Sequence, residues 1–297
     1  MKSIKQSRGA SFGVILLIYI FVSALGIMIY RALDFEYWLS LLIADVAATA
    51  VTYIFSLIFS NASVYDPYWS VQPPVILTAF LISGGATVYG ALILAAVSFW
   101  AIRLTANWAY TFYGLDHQDW RYTMLKEKTG AFYPIVNFVG IHLVPTLVVY
   151  LCILPGVYAV YYRLEADFVS ILFLSVSLGA VFLQGIADIQ MHSFRKNRNG
   201  TFIRNGLWKY SRHPNYLAEI LMWWGIGLSV AFATGEWNFV LGAVANNALF
   251  LFVSIPLADG RQSRKDGFAE YKSQTRMLLP IKKHLLSGAM PTEEKIK

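Results

Sequence analysis

The sequence predicts an all-α fold, a polytopic helical bundle that crosses the membrane with seven or eight transmembrane helices. The first observation is composition, because 57% of the 297 residues are hydrophobic and only 14% are charged, whereas a soluble domain carries about 25% charged residues. The second is the mean hydropathy of +0.52. The third is a series of apolar runs near the ~20 residues that a helix needs to cross the hydrocarbon core. These values exclude a disordered chain and argue against an ordinary soluble enzyme.

Seven apolar segments account for the predicted helices. Their bounds are 12–29, 38–59, 71–100, 138–160, 168–186, 217–232 and 237–257. The third segment is long enough for two helices and is interrupted at Ser83, Gly84 and Gly85, which indicates a tight hairpin. Eight passes result if both arms of this hairpin cross the membrane, and seven result if the piece at Gly84 and Gly85 only re-enters.

The basic residues predict the orientation. With eight passes, 22 of the 24 lysines and arginines lie on one side, and only Arg31 and Arg163 lie on the other. The positive-inside rule then places both termini in the cytoplasm. The net charge of +7 therefore belongs to membrane-flanking loops, and a nucleic-acid partner is not expected. The long extramembrane segments 105–137, 189–212 and 259–297 would be cytoplasmic, so chemistry with a soluble cofactor is expected on that side.

Ionisable groups within the spans need a partner, since a charged side chain at mid-membrane costs about 2.5–3.5 kcal/mol on insertion scales. We interpret Asp45 and His142 first as structural groups that a neighbouring helix satisfies, and a functional role for Asp45 stays open. Asn246 and Asn247 favour hydrogen bonds between helices.

Four polar residues form a column on a predicted helix. Gln184, Asp188, His192 and Arg195 share one face, and they run from the membrane into a basic loop. The column is suited to an elongated polar ligand that enters from the cytoplasm. An ion pair that closes the helix end, between Asp188 and either Arg195 or His192, is an equal alternative.

A second pattern, GLWKYSRHPNYLAE, ends at Glu219. Pro214 is typical of a first helical turn, and Arg212 and His213 beside that helix N-terminus form an anion site suited to phosphate. Asn215 and Glu219 are four residues apart and point the same way. A capped helix explains the other residues but not Glu219, because an unpaired carboxylate in an apolar run is costly. A functional interpretation is therefore favoured.

The sequence lacks the residue patterns that several membrane and metal chemistries require. The five histidines form no HxxxH or HxxHH box, which argues against a membrane di-iron hydroxylase. The single cysteine, Cys152, excludes both a disulfide scaffold and a cysteine-based zinc site. No metal is expected.

Residues 187–227, with AD-x-Q-x-x-x-FR followed by GLWKYSRHPNYLAEILMWWGIGL, closely resemble the steroid 5α-reductase C-terminal superfamily. More narrowly, they are similar to a bacterial branch catalogued as a domain of unknown function beside those reductases. The flanking segments agree in order, namely NASVYDPYW from Asn61, WAIRLT from Trp100, HQDWRY from His117, and Tyr271 through Pro280. The resemblance covers roughly 61–280. Isoprenylcysteine carboxyl methyltransferases, which use S-adenosylmethionine, carry a similar RHPxY block.

The resemblance implies an NADPH site in the cytoplasmic half of the bundle. Gln184 and Asp188 match family residues that contact the nucleotide, and Arg195 matches an arginine near its phosphates. Asn215 and Glu219 match the pair that approaches the nicotinamide carboxamide. The full implied cofactor-binding set is Arg103, Gln184, Asp188, Arg195, Tyr210, Arg212, His213, Asn215 and Glu219.

The sequence departs from the family pattern at the residues that polarise the substrate. The steroid enzymes polarise the enone carbonyl of the substrate with a glutamate and a tyrosine. Here Trp100 stands at the place of the tyrosine, and no glutamate lies between Asp66 and Pro74. Asp66 or Tyr68 is our candidate catalytic residue that polarises the carbonyl or supplies a proton. The resemblance thus does not identify a steroid as the substrate.

The resulting hypothesis is a multi-pass reductase, expected in the bacterial inner membrane with its cofactor site facing the cytoplasm. It would pass a hydride from NADPH to a conjugated C=C bond of a lipid-like substrate, of steroid, isoprenoid or fatty type, that enters from the bilayer. An S-adenosylmethionine-dependent methyltransferase and a non-catalytic lipid- or nucleotide-binding protein are the alternatives. The expected organisation is a two-span segment over 1–60, a reductase-like membrane domain over 61–280 and a cytoplasmic tail over 281–297.

Overall fold

The computed structural model describes residues 2–196 and 201–281. Helices make up nearly all of this part of the chain, which contains no β-strand, only an isolated parallel bridge between Ser211 and Arg276. The predicted all-α fold class is therefore confirmed. The predicted tail, from residue 282 onward, lies outside the described residues.

Thirteen α-helices can be distinguished in the described residues. They are α1 (Lys2–Gln6), α2 (Arg8–Ala32), α3 (Tyr37–Phe59), α4 (Tyr68–Gly84), α5 (Val88–Thr111), α6 (Trp120–Thr129), α7 (Tyr133–Val136), α8 (Val144–Tyr161), α9 (Phe168–Lys196), α10 (Pro214–Thr234), α11 (Leu241–Leu249), α12 (Ile255–Gln262) and α13 (Phe268–Gln274). Two π-helical segments, Asn137–Leu143 and Phe250–Ser254, connect α7 to α8 and α11 to α12.

Seven helical segments within the described ranges are long and apolar enough to cross a membrane. They are Arg8–Ala32, Tyr37–Phe59, Val88–Thr111, Trp120–Tyr161, Phe168–Lys196, Pro214–Thr234 and Trp237–Gln262. Large apolar side chains such as Leu17, Phe182 and Phe252 are exposed on these segments. Such surfaces are suited to contact with lipid, and the chain is a multi-pass membrane protein.

The predicted hairpin at Gly84 and Gly85 is present. α4 ends at Gly84, Gly85 has a φ of 86°, and the Thr87 side chain accepts a hydrogen bond from Gly90 N in the first turn of α5. α4 has only 17 residues, so it is about 25 Å long, short of the ~30 Å hydrocarbon core. Whether this helix makes the eighth pass stays a prediction.

Two compact units can be distinguished along the chain. Unit 1 consists of Met1–Leu178 and Trp223–Asn246, and unit 2 consists of Gly179–Met222 and Asn247–Lys297. α9 and α10 each contribute residues to both units. The domain bounds expected from the resemblance stay a prediction.

In unit 1 the connection between α3 and α4 is buried. Val64 is 0% exposed and Tyr65 1% exposed, and Tyr19, from the middle of α2, donates from Oη to Val64 O at 2.6 Å. Asn61 Nδ2 donates to Leu115 O at 2.7 Å. Backbone groups that are removed from water need hydrogen-bond partners of this kind. This connection, residues 60–67, therefore places Tyr65 and Tyr68 among the helices of unit 1.

Glycines allow the helices of unit 1 to approach closely. A Cβ atom at Gly242 would overlap Leu151 O and Cys152 N, and one at Gly225 would overlap Ser177 Oγ. Small residues at such contacts are the usual means of packing helices in membranes, where close van der Waals contact replaces the hydrophobic driving force.

We expect Gly242→Ala and Gly225→Ala each to lower the free energy of unfolding by about 1–3 kcal/mol, the cost of overpacking a close contact. Gly13→Ala in α2 is the matched control, because a Cβ atom there meets no atom within 4 Å. Thermal unfolding of the full chain in detergent measures the effect. Equal unfolding temperatures for the three variants would contradict this account of the packing.

Candidate functional site

In unit 2 the two sequence patterns meet at a hydrogen bond between α9 and α10. Gln184 Nε2 donates to Glu219 Oε2 at 2.5 Å, and the two residues are 1% and 5% exposed. α10 begins at Pro214, as predicted, and Glu219 lies in its second turn. The carboxylate that the sequence left without an explanation thus has a buried partner on another helix.

Two amide oxygens beside this contact are unsatisfied. A carboxylate only accepts hydrogen bonds, so the amide nitrogen of Gln184 faces Glu219 and its oxygen is free to accept. Gln184 Oε1 and Asn215 Oδ1 are both buried and have no hydrogen-bond partner among the described residues. Each such acceptor costs about 1–3 kcal/mol. A ligand that carries N–H donors would satisfy them.

The predicted column lies on one continuous helix, since α9 extends to Lys196. Along this face the side chains change from buried at Gln184, through partly buried at Asp188 and His192, to exposed at Arg195. His192 lies within electrostatic range of both Asp188 and Arg195. The geometry therefore accommodates both a ligand column and charge pairing at the helix end.

Arg212 and His213 are bound to Asp259 of α12. Arg212 Nη2 lies 3.2 Å from Asp259 Oδ2, and His213 Nε2 lies 2.9 Å from Oδ1. The side chains of Arg212 and Asp259 are each 9% exposed. Arg212 also donates from Nη1 to Thr275 O at 2.5 Å and from its backbone N to Arg276 O at 2.9 Å. The two residues expected to bind an anion are instead paired with Asp259, which Lys272 Nζ also approaches at 3.3 Å, and they fix the segment after α13 to the start of α10.

Sequence reasoning missed Asp259, although a signal was present. It is the only acidic residue of the span Trp237–Gln262, and a carboxylate there requires a cation or donors.

Tyr210, another residue of the predicted cofactor-binding set, is 43% exposed. The ammonium of Lys209 lies 5.8 Å from its ring centroid.

In unit 1, Tyr68 is paired with Asp45. Tyr68 Oη donates to Asp45 Oδ1 at 3.3 Å, and the two residues are 2% and 8% exposed. The neighbouring helix does satisfy Asp45, as expected, but through one of the two candidate catalytic residues. The pair forms a buried carboxyl–phenol site between α3 and the first turn of α4.

Asp66, the other candidate catalytic residue, lies in a different environment. It is partly exposed and accepts a hydrogen bond from Tyr122 Oη at 2.5 Å. Burial raises the pKa of Asp66 to about 6, while the Arg121 guanidinium and the Tyr122 hydrogen bond oppose part of that rise. Asp66 therefore titrates near neutral pH.

Two further positions lie on α5 in unit 1. Trp100 is 0% exposed, and its ring packs against Trp223 and Trp69 with centroid distances of 4.9 and 5.9 Å. Trp100, which the resemblance places at the position of a catalytic tyrosine, thus packs between two other tryptophan rings. Arg103 is partly buried, and its contact with a cofactor stays a prediction.

We expect Asp259→Ala to lower the free energy of unfolding by about 3–5 kcal/mol, because it leaves the Arg212 guanidinium buried without its counter-charge. The exposed Asp266, on the following loop, provides the control Asp266→Ala. Thermal unfolding of the two variants in detergent measures the difference. A similar unfolding temperature for both variants would show that the Arg212–His213–Asp259 cluster does not stabilise unit 2.

We expect Asp66→Asn to stabilise the protein at about pH 8 but not at about pH 4. Folding raises the pKa of Asp66 above its ordinary value, so the folded state prefers the protonated form, and stability is lost as the pH rises through about 6. The gain at high pH is of the order of 1–3 kcal/mol, since one pKa unit corresponds to about 1.4 kcal/mol. Unfolding temperatures across this pH range test it, with the exposed Glu127→Gln as control. A pH-independent effect of Asp66→Asn would contradict the assignment.

Comparison with known proteins places the chain in a family. The family model described as a protein of unknown function (DUF1295) matches residues 52–275, more than half of the chain. An uncharacterized protein of Schizosaccharomyces pombe is 26% identical over 202 residues, which are 59% of this chain and 59% of that protein; the chain thus matches less than two thirds of the length of this relative. No solved structure matches. The chain therefore belongs to the DUF1295 family, as the expectation of a domain of unknown function had it, and the relation of this family to the steroid 5α-reductases stays a prediction.

Proposed function

We propose that this membrane protein is an NADPH-dependent reductase that reduces a conjugated C=C bond of a lipid-like substrate. The resemblance of residues 61–280 to the steroid 5α-reductase superfamily suggests the chemistry. The observation that carries the proposal is the buried Gln184–Glu219 contact with the unsatisfied oxygens of Gln184 and Asn215 beside it.

A nicotinamide carboxamide fits this group of side chains. Its NH2 group offers two donors, and Gln184 Oε1 and Asn215 Oδ1 are two buried acceptors without a protein partner in the described ranges. Glu219 holds the Gln184 amide through its nitrogen, so the oxygen cannot turn towards the carboxylate without placing two acceptors against each other. Glu219 is therefore a positioning residue for Gln184.

The phosphates of the cofactor would be held at the water-facing end of the column. Arg195 is exposed in the last turn of α9, and an exposed guanidinium binds phosphate through two parallel hydrogen bonds. Asp188 would orient a ribose hydroxyl. Arg212 and His213 would support the site indirectly, because Asp259 occupies their side chains. Arg103 and Tyr210 remain members of the proposed set on the resemblance alone.

When bound, NADPH supplies the hydride, and the protein must supply a proton and polarise the substrate. Within unit 1, the buried Tyr68–Asp45 pair holds a phenol and a carboxyl group in hydrogen-bond contact, and either group can carry the proton that such a reaction needs. We propose this enclosed pair in place of Asp66, which is partly exposed. A lipid-like substrate reaches such a site through the apolar faces of the spans.

The first test is NADPH binding by the full chain in detergent or nanodiscs, measured by calorimetry. We expect Gln184→Leu to weaken binding by about fivefold to 150-fold, because a buried donor left without its acceptor costs about 1–3 kcal/mol and 1.4 kcal/mol is about tenfold. Gln190→Leu is the matched control, since it also removes a glutamine of α9 that forms one hydrogen bond, to Leu207 N. Arg195→Ala should weaken binding strongly, and the exposed Arg204→Ala should not.

The same titrations discriminate the alternatives. Binding of S-adenosylmethionine without binding of NADPH, insensitive to Arg195→Ala, would overturn the reductase in favour of a methyltransferase. Tight NADPH binding with no turnover of any enone lipid would favour a non-catalytic nucleotide-binding protein.

A further inference from the structure

Unit 2 contains a cavity beside α13 whose lining is rich in cations. Its volume is about 490 Å³. It is lined mainly by Arg212, Lys272, Thr275, Arg276 and Met277. Because three of these side chains are positively charged, we call the cavity the cationic pocket.

Arg212 brings an unsatisfied donor to the cationic pocket. Its side chain is 9% exposed. The guanidinium donates from Nη2 to Asp259 and from Nη1 to Thr275 O, but its Nε is buried and has no hydrogen-bond partner among the described residues. A buried N–H group without an acceptor is costly, and a guanidinium binds anionic oxygens most strongly. The pairing with Asp259 thus leaves part of the binding capacity of Arg212 unused.

The single carboxylate of Asp259 does not balance the cations around it. Arg212 Nη2 and Lys272 Nζ share its Oδ2 at 3.2 and 3.3 Å, and His213 Nε2 lies 2.9 Å from its Oδ1. Arg276 adds a further positive charge to the lining. The side chain of Lys272 is 52% exposed, and an ammonium has three donors, so it can bind Asp259 and a ligand together. The excess of positive charge favours an anion.

The cationic pocket joins chain segments that flank two membrane-spanning helices. Arg212 stands two residues before the span Pro214–Thr234, and Lys272 follows the span Trp237–Gln262. Lipid headgroups occupy the layer where such spans end. Basic residues at this place are typical of sites for anionic lipid headgroups.

Exposed apolar side chains continue from the cationic pocket. Met277, Leu279 and Ile281 follow Arg276 and are all exposed, and Met277 also contributes to the lining. A small phosphate compound gains nothing from such side chains, whereas the acyl chains of a lipid would cover them. The combination of cations with apolar residues therefore favours a phospholipid over a free phosphate compound.

We infer that the cationic pocket binds the phosphate of an anionic phospholipid, whose acyl chains lie against Met277, Leu279 and Ile281. Arg212 Nε and the ammonium of Lys272 donate to the phosphate oxygens. The inference goes beyond the proposed reductase, since it requires neither NADPH nor a reaction. A lipid bound in this way attaches the segment after α13 to the bilayer.

The alternative is that these cations are ordinary membrane-flanking charges, which attract any anionic surface without forming a site. Lys272→Gln combined with Arg276→Gln removes two cations of the cationic pocket and keeps Arg212 in place. Lys209→Gln combined with Arg264→Gln is the matched control, because it removes one exposed lysine and one exposed arginine of unit 2 that do not line the cationic pocket.

The experiment measures dissociation constants by microscale thermophoresis of the full chain in a non-ionic detergent. The probe is short-chain phosphatidylglycerol, and the comparison ligands are inorganic phosphate, which has no acyl chains, and short-chain phosphatidylcholine, whose ammonium group cancels the negative charge. We expect both comparison ligands to bind the wild type at least tenfold more weakly than the probe.

We expect the variant with Lys272→Gln and Arg276→Gln to bind the probe at least tenfold more weakly than the wild type. The control variant with Lys209→Gln and Arg264→Gln should bind it like the wild type. If the first double variant does not fold, Lys272→Gln alone replaces it, since this side chain is half exposed, and a severalfold loss is expected.

Equal affinity of the two double variants for phosphatidylglycerol would overturn the inference, because total charge and not the cationic pocket would then determine binding. Equal affinity of the wild type for inorganic phosphate and phosphatidylglycerol would overturn it in favour of a free phosphate compound. Displacement of the lipid by an equal concentration of NADPH would overturn it in favour of the cofactor. The lipid titrations contain no NADPH, so they succeed or fail independently of the proposed reductase.

Discussion

The structure depends on one constraint, the cost of a polar group that is removed from water without a partner. In a chain with 14% charged residues, each buried carboxylate is satisfied by a side chain from another part of the sequence. Asp45 is bound by Tyr68, Glu219 by Gln184, and Asp259 by Arg212. These contacts join α3 to α4, α9 to α10 and α12 to the start of α10. Because an unpaired carboxylate costs more than one apolar contact is worth, the polar pairs select which helices pack together within each unit.

The basic residues combine two physical roles. Lys5 Nζ donates to Phe59 O at the end of α3, and Arg8 Nη2 donates to Ala109 O near the end of α5. Carbonyl groups at a helix C-terminus lack partners within the helix and carry partial negative charge, so a cation there is stabilising. Basic residues that determine the orientation thus also donate hydrogen bonds to backbone carbonyl groups of neighbouring spans. In the expected orientation both helix ends face the cytoplasm, where the positive-inside rule places such residues.

Regular local features could be predicted from the sequence, and long-range pairings could not. The apolar runs gave the spans, Gly84 and Gly85 gave the hairpin, and Pro214 gave the start of α10, since each signal lies in a few consecutive residues. The continuous face of α9 followed from helical periodicity. The partner of Asp45 lies 23 residues away and that of Arg212 lies 47 away, and no spacing rule connects such residues. The buried connection between α3 and α4 was equally hidden, because its polar sequence is typical of an exposed loop.

The two carboxyl groups near Tyr68 illustrate how environment assigns chemistry. Asp66 is two residues from Tyr68 in sequence, yet it is partly exposed, bonded to Tyr122 and close to the Arg121 cation, so its protonation follows the pH of the water that it meets. Asp45 is distant in sequence, enclosed by helices and bonded to the Tyr68 hydroxyl. A proton donor in a dry site must be shielded from bulk water, and of these two carboxyl groups Asp45 is the more enclosed. Nearness to Tyr68 in the sequence made Asp66 a candidate, whereas enclosure by helices is the reason why we propose the Asp45–Tyr68 pair as the proton donor.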